Sequence, residues 1–214
     1  MSDPTIHLPS KDGEPAWEAA YFFPPQGHWS DETFLQLDSN RMAELVAGRL
    51  EILPMPNPLH QLIVIFFLDL IREHLKRLGL DGIVLVAPTP TRLFSGTIRE
   101  PDLLYIAPEH RPENLNDYPT QIDLAVEVVS DGAEARKRDY EDKRIDYAKA
   151  GVSEYWIVDP QDKLVTVLTL DGNQYVERGV FSAGKIATSR LLEGLTVSVD
   201  AVWAVTESGG KPGI

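Results

Sequence analysis

The order of apolar segments along the chain is the feature that most restricts its fold. Over residues 59–78 apolar side chains recur at helical spacing, and Gly79 follows as a candidate helix C-cap. Three short apolar runs, a charged helix and one further run come next, at residues 83–87, 103–106, 122–129, 133–150 and 154–158. The order helix, three strands, helix, strand predicts an α/β sheet covered on both faces.

Short elements are predicted on both sides of this core. Ser30, followed by two acids, is typical of the N-cap of a short helix. Residues 44–53 predict two short strands around a glycine turn, and three spaced prolines then interrupt regular structure. After the core we predict a β-hairpin and then a strand or a short helix, at residues 163–170, 174–177 and 197–205.

The ends of the chain differ from the part between them. Residues 1–29 are dotted with prolines and show no periodicity, so we expect an extended or disordered arm. Residues 206–214 are rich in glycine, and we expect a flexible tail there. No repeat or linker divides residues 30–205, which we expect to form a single domain.

Composition excludes several classes of protein. The chain has no cysteine, which excludes a disulfide scaffold, a thiolate zinc site and a cysteine nucleophile. The first residues lack the apolar core of a signal peptide. The longest apolar run, residues 62–68, is far shorter than the roughly 20 residues of a membrane span. We therefore expect a cytoplasmic protein with no membrane partner.

The net charge and the absence of several known short motifs exclude further classes of function. The net charge of −13 counts against a basic surface that covers the whole protein and coats nucleic acid. A local site in which bound metal neutralises a phosphate remains compatible with that charge. The five histidines are scattered, and the sequence has no G-x-S-x-G, Walker or dinucleotide-binding motif after a predicted strand.

Two acids are predicted to lie on core strands, where a carboxylate is costly to bury. Asp102 opens the strand at 103–106, and Glu127 lies between valines in the strand at 122–129. If these strands are neighbours, the two acids can lie together, and a cation between them would relieve their repulsion. Oxygen ligands of this kind suit Mg²⁺ or Mn²⁺. The alternative is a structural ion pair at Glu127 and a simple turn position at Asp102.

The charged helix that follows predicts a basic group for the same site. One stripe at helical spacing contains Arg136, Asp139, Tyr140, Lys143 and Tyr147. A lysine on a stripe that should face the core can orient an attacking water or stabilise charge on a phosphate. The alternative is that this stripe is an ordinary solvated face of a highly charged helix.

Together these segments resemble the Uma-two family of restriction endonucleases, which is placed in the PD-(D/E)XK nuclease superfamily. The resemblance runs from about residue 30 to about residue 203, and its most specific part is GVSEYWIVDP at 151–160. It implies a restriction-endonuclease-like core with β additions at both ends. The other matching residues are Pro101-Asp102-Leu103, Glu127-Val128-Val129-Ser130, Asp139, Lys143, Tyr147-Ala148, residues 44–50 and His60.

The resemblance also implies roles for individual residues. Asp102, Glu127 and the carbonyl oxygen of Val128 would hold the metal. The lysine of the superfamily lies two residues after the glutamate, where this chain has Val129, and the resemblance nominates Lys143 in its place. The auxiliary residues are Glu44, His60 and Tyr147, with Ser130, Asp139 and Tyr147 as supports of the site.

The leading hypothesis is therefore a Mg²⁺-dependent or Mn²⁺-dependent endonuclease that acts on DNA. The alternative is a nuclease-like fold that serves as a non-catalytic binding or assembly module, which the net charge of −13 favours. The presence of Asp102, Glu127 and Lys143 argues against that alternative, because a site without catalysis has little reason to keep a buried acid that costs free energy. For His60, a helix-capping or surface position is the alternative to a role at the site. We expect a homodimer because the hairpin and the C-terminal strands leave sheet edges that need cover.

Overall fold

The computed structural model describes residues 20, 22–37 and 42–206. Most of the predicted arm, at residues 1–19 and 21, and residues 207–214 of the predicted tail lie outside this description. Within the described ranges, no helix has the length and apolar character that a membrane crossing requires.

The described chain contains five α-helices and twelve strands. The helices are α1 (Asp31–Leu35), α2 (Pro58–Leu78), α3 (Ala133–Lys137), α4 (Lys143–Lys149) and α5 (Val199–Trp203), with a π-helical turn (Arg138–Asp142) joining α3 to α4. The first six strands are β1 (Ala43–Val46), β2 (Arg49–Ile52), β3 (Ile83–Val86), β4 (Thr91–Phe94), β5 (Thr97–Arg99) and β6 (Leu103–Ile106). The others are β7 (Leu124–Val128), β8 (Glu154–Asp159), β9 (Leu164–Asp171), β10 (Gln174–Phe181), β11 (Ile186–Thr188) and β12 (Thr196–Ser198).

A six-stranded mixed sheet lies at the centre, with the strand order β10-β9-β8-β7-β6-β3. The strands β3, β6 and β7 pair antiparallel, whereas β7 and β8 are parallel and are connected through α3 and α4. A parallel pair needs such a long crossover, usually a helix. The predicted α/β class is confirmed. The three predicted strands correspond to β3, β6 and β7 of the central sheet, but β4 and β5 of a second sheet lie between β3 and β6 in the chain.

The residues of β7 alternate between two cores, as the strand pattern predicts. Leu124, Val126 and Val128 pack in the cluster that contains the apolar face of α2. Ala125 points to the opposite side, into the cluster that contains Tyr147 of α4. Glu127 belongs to that second side, so the fold places its carboxylate beneath the charged helix.

The start of α2 is fixed by local sequence. The side chain of Asn57 caps the helix by accepting a hydrogen bond from the backbone N–H of His60 at 2.9 Å, and Pro58 fits the first turn. Gly79 ends the helix with φ of 66°, a left-handed conformation that glycine adopts without strain. The helix therefore begins one turn before His60 and brings that side chain to the end of the sheet.

A second sheet of four strands, in the order β2-β1-β5-β4, was only half predicted. The sequence indicates β1 and β2, but β4 and β5 are too short to give a recognisable period. Pairing of Leu45 with Ile98 joins β1 to β5 and brings Glu44 next to the end of β5. Trp29 packs in the apolar cluster under this sheet, although the sequence assigns it to the arm.

The C-terminal part agrees with the predicted hairpin. Strands β9 and β10 pair antiparallel around the turn at residues 172–173, and β10 continues beyond the predicted residues to Phe181 after a register shift. Residues 197–205 contain both predicted alternatives, because the end of β12 runs directly into α5. Strands β9 and β10 form one edge of the central sheet, whereas β12 pairs with β11 in a separate two-stranded sheet.

Candidate active site

Asp102 and Glu127 lie on neighbouring antiparallel strands. Leu103 is paired with Val126, so Asp102 and Glu127 occupy the next opposing positions in the register. The backbone N–H of Val128 donates a hydrogen bond to Oδ2 of Asp102 at 2.8 Å. Both acids are buried, with 8% and 2% of their surfaces exposed. As predicted, the two acids lie on neighbouring strands, and they line the same cleft.

Two side chains from the charged helix contact Glu127. The Nζ atom of Lys143 lies 2.8 Å from Oε1, and the hydroxyl of Tyr147 donates a hydrogen bond of 2.6 Å to the same oxygen. Burial raises the pKa of Glu127 to about 8, because the loss of hydration outweighs the attraction of Lys143. Because this pKa already includes the attraction of Lys143, full ionisation of Glu127 near neutral pH requires a further cation.

Lys143 is surrounded by carboxylates. Besides Glu127, Oε1 of Glu44 lies 3.2 Å and Oδ1 of Asp139 lies 3.9 Å from its Nζ atom. Burial alone would lower the pKa of Lys143, but these acids together raise it. The lysine is therefore a buried, protonated ammonium at the centre of an acidic cluster.

The predicted single stripe on this helix is wrong, because the structure divides it into two rows. Asp139, Lys143 and Tyr147 follow one another at four-residue spacing and lie at the acidic cluster. Arg136 forms an ion pair with Asp159, and the hydroxyl of Tyr140 donates to the same carboxylate. Asp139 and Tyr140 are consecutive residues of the π-helical turn, and their side chains leave the helix in different directions, so the two rows face different partners.

His60 contacts Asp102 directly. Its Nε2 atom lies 3.2 Å from Oδ2 of Asp102, and 7% of the residue is exposed. The backbone of His60 takes part in the cap of α2, but its side chain is buried at the site rather than on the surface. Its Nδ1 atom is buried and has no hydrogen-bond partner in the described part of the chain.

Glu44 joins Lys143 to a second buried cation. Its Oε2 atom accepts a hydrogen bond of 2.8 Å from Arg99, and its Oε1 atom accepts one of 3.0 Å from the backbone N–H of Glu100. Burial would raise the pKa of Glu44, but Lys143 and Arg99 lower it to about 2. Arg99 also binds Asp146 of α4 at 2.6 Å. This network fixes the second sheet against the charged helix.

Asp102, Glu127 and Lys143 line one cleft, in which acidic side chains outnumber basic ones. Glu100, Asp102, Glu127 and Asp139 line it, whereas its cationic residues are Lys143 and Arg138. His60, Val128 and Ser130 also line it, together with Met42, Leu53, Pro54 and Pro56. Such a cleft repels a phosphate group unless a cation is present.

Comparison with known proteins assigns the chain to a family. The model of the family described as "Uma2: Putative restriction endonuclease" matches residues 31–200, which is most of the sequence. The chain belongs to the Uma2 family. The family resemblance stated from the sequence motifs is thereby confirmed.

A solved structure supports the fold of this Uma2 chain. It is described as a putative nuclease belonging to DUF820 from Anabaena variabilis, and it is 17% identical in sequence. The match covers 85% of the Uma2 chain and 99% of the other chain, with a TM-score of 0.68. At this identity the likeness shows a shared nuclease-type α/β fold and no more. No curated protein matches the sequence.

The oxygen atoms at this Uma2 site fit a hydrated Mg²⁺ ion. Among the described residues, we find no group of three or more histidine, aspartate or glutamate side chains that could hold a metal ion. Mg²⁺ usually takes only one or two protein carboxylates and keeps several waters. Two buried acids on adjacent strands, with the excess of acid in the cleft, meet that requirement.

Sequence reasoning missed several polar residues of the Uma2 site. Arg99 and Glu100 precede the Pro101-Asp102 pair directly, and Asp146 lies on the charged helix. The Oε2 atom of Glu100 is buried without a hydrogen-bond partner in the described residues. Burial, together with the charge of Glu44, raises the pKa of Glu100 to about 7. The charges immediately before Asp102 are a signal for Arg99 and Glu100 only, because Asp146 is one of many charged residues on its helix.

Proposed function

We propose that this Uma2 protein is a Mg²⁺-dependent endonuclease that hydrolyses phosphodiester bonds in DNA. The observation that carries the proposal is the opposition of Asp102 and Glu127 across two strands, with the ammonium of Lys143 2.8 Å from Glu127. The family description supports the nuclease class. The choice of metal and of DNA belongs to the proposal.

Asp102, Glu127 and the backbone carbonyl of Val128 are the residues that would hold the ion. Bound Mg²⁺ or Mn²⁺ would lower the pKa of a water molecule and neutralise charge on the phosphate. The acid excess of the cleft supports this requirement, because the protein itself offers a phosphate little positive charge.

The other side chains would position the reacting groups. Lys143 keeps its proton and would orient the attacking water or stabilise negative charge that develops on the phosphate. Tyr147 holds Oε1 of Glu127 through its hydroxyl, and His60 holds Oδ2 of Asp102. These contacts limit the directions in which the two carboxylates can turn.

Nicking of supercoiled plasmid tests the proposed function. The wild-type chain should nick plasmid with Mg²⁺ or Mn²⁺ and should lose this activity in EDTA. Glu127→Gln and Asp102→Asn should abolish it, whereas Glu109→Gln, at an exposed position, should leave it unchanged. Nicking that is equal in the wild type and in Glu127→Gln would show that the activity comes from elsewhere.

The second candidate is a nuclease-like fold that binds nucleic acid or assembles with a partner without catalysis. The net charge of −13 favours it, because phosphate contacts normally use a basic surface. Fluorescence anisotropy with labelled DNA separates the two candidates. Binding that requires Ca²⁺, together with cleavage in Mg²⁺, supports the endonuclease, and DNA binding in EDTA without cleavage in Mg²⁺ supports the alternative.

A homodimer in the cytoplasm remains part of the proposal. Strands β3 and β10 end the central sheet, so each has one side without a neighbouring strand of that sheet. A second copy of the chain could cover such an edge. Light scattering coupled to size-exclusion chromatography measures the mass, and a mass of 23.9 kDa for the particle would contradict the dimer.

A further inference from the structure

Glu100 is a buried acid that the sequence motifs do not assign to the site. It lies immediately before Pro101-Asp102 and lines the same cleft as Asp102 and Glu127. Only 6% of the residue is exposed, and Oε2 makes no hydrogen bond within the described residues. A buried polar atom without a partner costs free energy, so its presence at a cleft points to a ligand that it binds.

The protein groups around Glu100 do not neutralise it. Glu44 accepts a hydrogen bond from the backbone N–H of Glu100, and its negative charge raises the pKa of the Glu100 side chain, whereas Lys143 lowers it. Lys143 forms its ion pairs with Glu127, Glu44 and Asp139. The carboxyl group of Glu100 therefore has no ion pair of its own among the described residues, while its backbone N–H is held beside the site.

We propose that Glu100 supplies a further carboxylate ligand to the divalent cation held by Asp102 and Glu127. This inference rests on the proposed function and extends it from two acidic side chains to three. The ligand class is a hard divalent cation such as Mg²⁺ or Mn²⁺, since the cleft presents carboxylate oxygens and no thiolate.

In the described structure Glu100, Asp102 and Glu127 are not grouped as a site that could hold a metal ion. The side chain of Glu100 must therefore move to bind the cation. Its backbone N–H is anchored on Glu44, and within the described residues its Oε2 atom makes no hydrogen bond that such a movement would break. The cleft has an excess of acidic side chains, with four of them against the two cations Lys143 and Arg138. Cation binding would relieve that excess.

Calorimetric titration of the full chain with Mn²⁺ tests the inference without relying on activity. Glu100→Gln should weaken Mn²⁺ binding by at least about tenfold. The matched control is Glu109→Gln, the same chemical change at an exposed position, which should leave the affinity unchanged. The melting temperature of Glu100→Gln should also rise less on addition of Mn²⁺ than that of the wild type.

The outcomes separate this inference from the proposed function. Weaker binding in Asp102→Asn with unchanged binding in Glu100→Gln would overturn the role of Glu100 and leave the endonuclease proposal standing. Absence of Mn²⁺ binding in the wild type would overturn both. If Glu100→Gln fails to fold, Glu100→Asp decides, because it keeps the charge but shortens the side chain; an affinity equal to the wild type would contradict the inference.

Discussion

The ammonium nitrogen of Lys143 lies 2.8 Å from Oε1 of Glu127, and both residues are 2% exposed. Two further carboxylates, from Glu44 and Asp139, face the same ammonium. A buried ion pair adds little net stability compared with apolar side chains, but removal of one partner leaves a buried charge without compensation. Lys143 is therefore the group on which the acidic cluster depends.

We predict that Lys143→Met lowers the free energy of unfolding by about 3–5 kcal/mol, because three buried carboxylates lose their shared cation. Urea unfolding followed by circular dichroism measures the change. Lys137→Met is the matched control, since Lys137 precedes the same π-helical turn and its side chain is 60% exposed. A loss of stability in Lys143→Met no larger than that in the control would contradict the prediction.

The sequence predicts the strands that carry Asp102 and Glu127 better than it predicts the groups around them. Asp102 and Glu127 could be proposed because an acid in a buried strand breaks the apolar pattern. The contacts of Arg99 and Glu100 could not be predicted, because Arg99 is the last residue of β5, a strand of only three residues. The pairing of β5 with β1 joins Leu45 and Ile98, which are 53 positions apart in the chain. No local periodicity reports such a contact.

The charged helix shows a second limit of sequence reasoning. Spacings of three and four residues both place side chains on one face, so local spacing alone predicts that Arg136 and Tyr140 face the same side as Lys143. Which of the two rows faces the acids depends on how the helix lies over the sheet. The π-helical turn and the ion pair of Arg136 with Asp159 belong to that tertiary arrangement, and no local spacing rule contains them.

We predict that Tyr147→Phe lowers the free energy of unfolding by about 1.5–3 kcal/mol, because its buried hydroxyl donates to the carboxylate of Glu127. Tyr155→Phe is the matched control. Its hydroxyl is equally buried but donates to the backbone carbonyl of Asp139, so the loss should be about 0.5–1.5 kcal/mol. Denaturant unfolding compares the two variants, and an equal loss would show that Glu127 gives the hydrogen bond no additional strength.

We predict that Arg99→Met lowers the free energy of unfolding by about 3–5 kcal/mol, because Glu44 and Asp146 lose their common partner. Arg92→Met is the control, since Arg92 lies on the neighbouring strand β4 and pairs with Asp31 at a half-exposed position. Exposed pairs contribute less because water and salt screen them. Equal effects of the two substitutions in urea unfolding would contradict the proposed importance of the buried network.

The stability of the protein should fall at acidic pH partly because of His74, a buried residue of α2 that does not line the candidate site. The residue is 4% exposed, and Nη2 of Arg77 lies 3.1 Å from its Nδ1 atom. Burial and the charge of Arg77 lower the pKa of His74 below its ordinary value of 6.5. The unfolded chain therefore takes up a proton near pH 6.5 that the folded protein does not accept until the pH is lower.

The free energy of unfolding should consequently decrease as the pH falls through 6.5, until the lowered pKa of the folded protein is reached. His74→Gln removes this titration, so the free energy of unfolding should fall less steeply over that range than in the wild type. His28→Gln, at an exposed position, should keep the wild-type slope. Urea unfolding at several values between pH 5 and pH 8 measures the slope. Identical slopes in the wild type and in His74→Gln would contradict the prediction, because the neutral imidazole would then not be what the fold requires at this position.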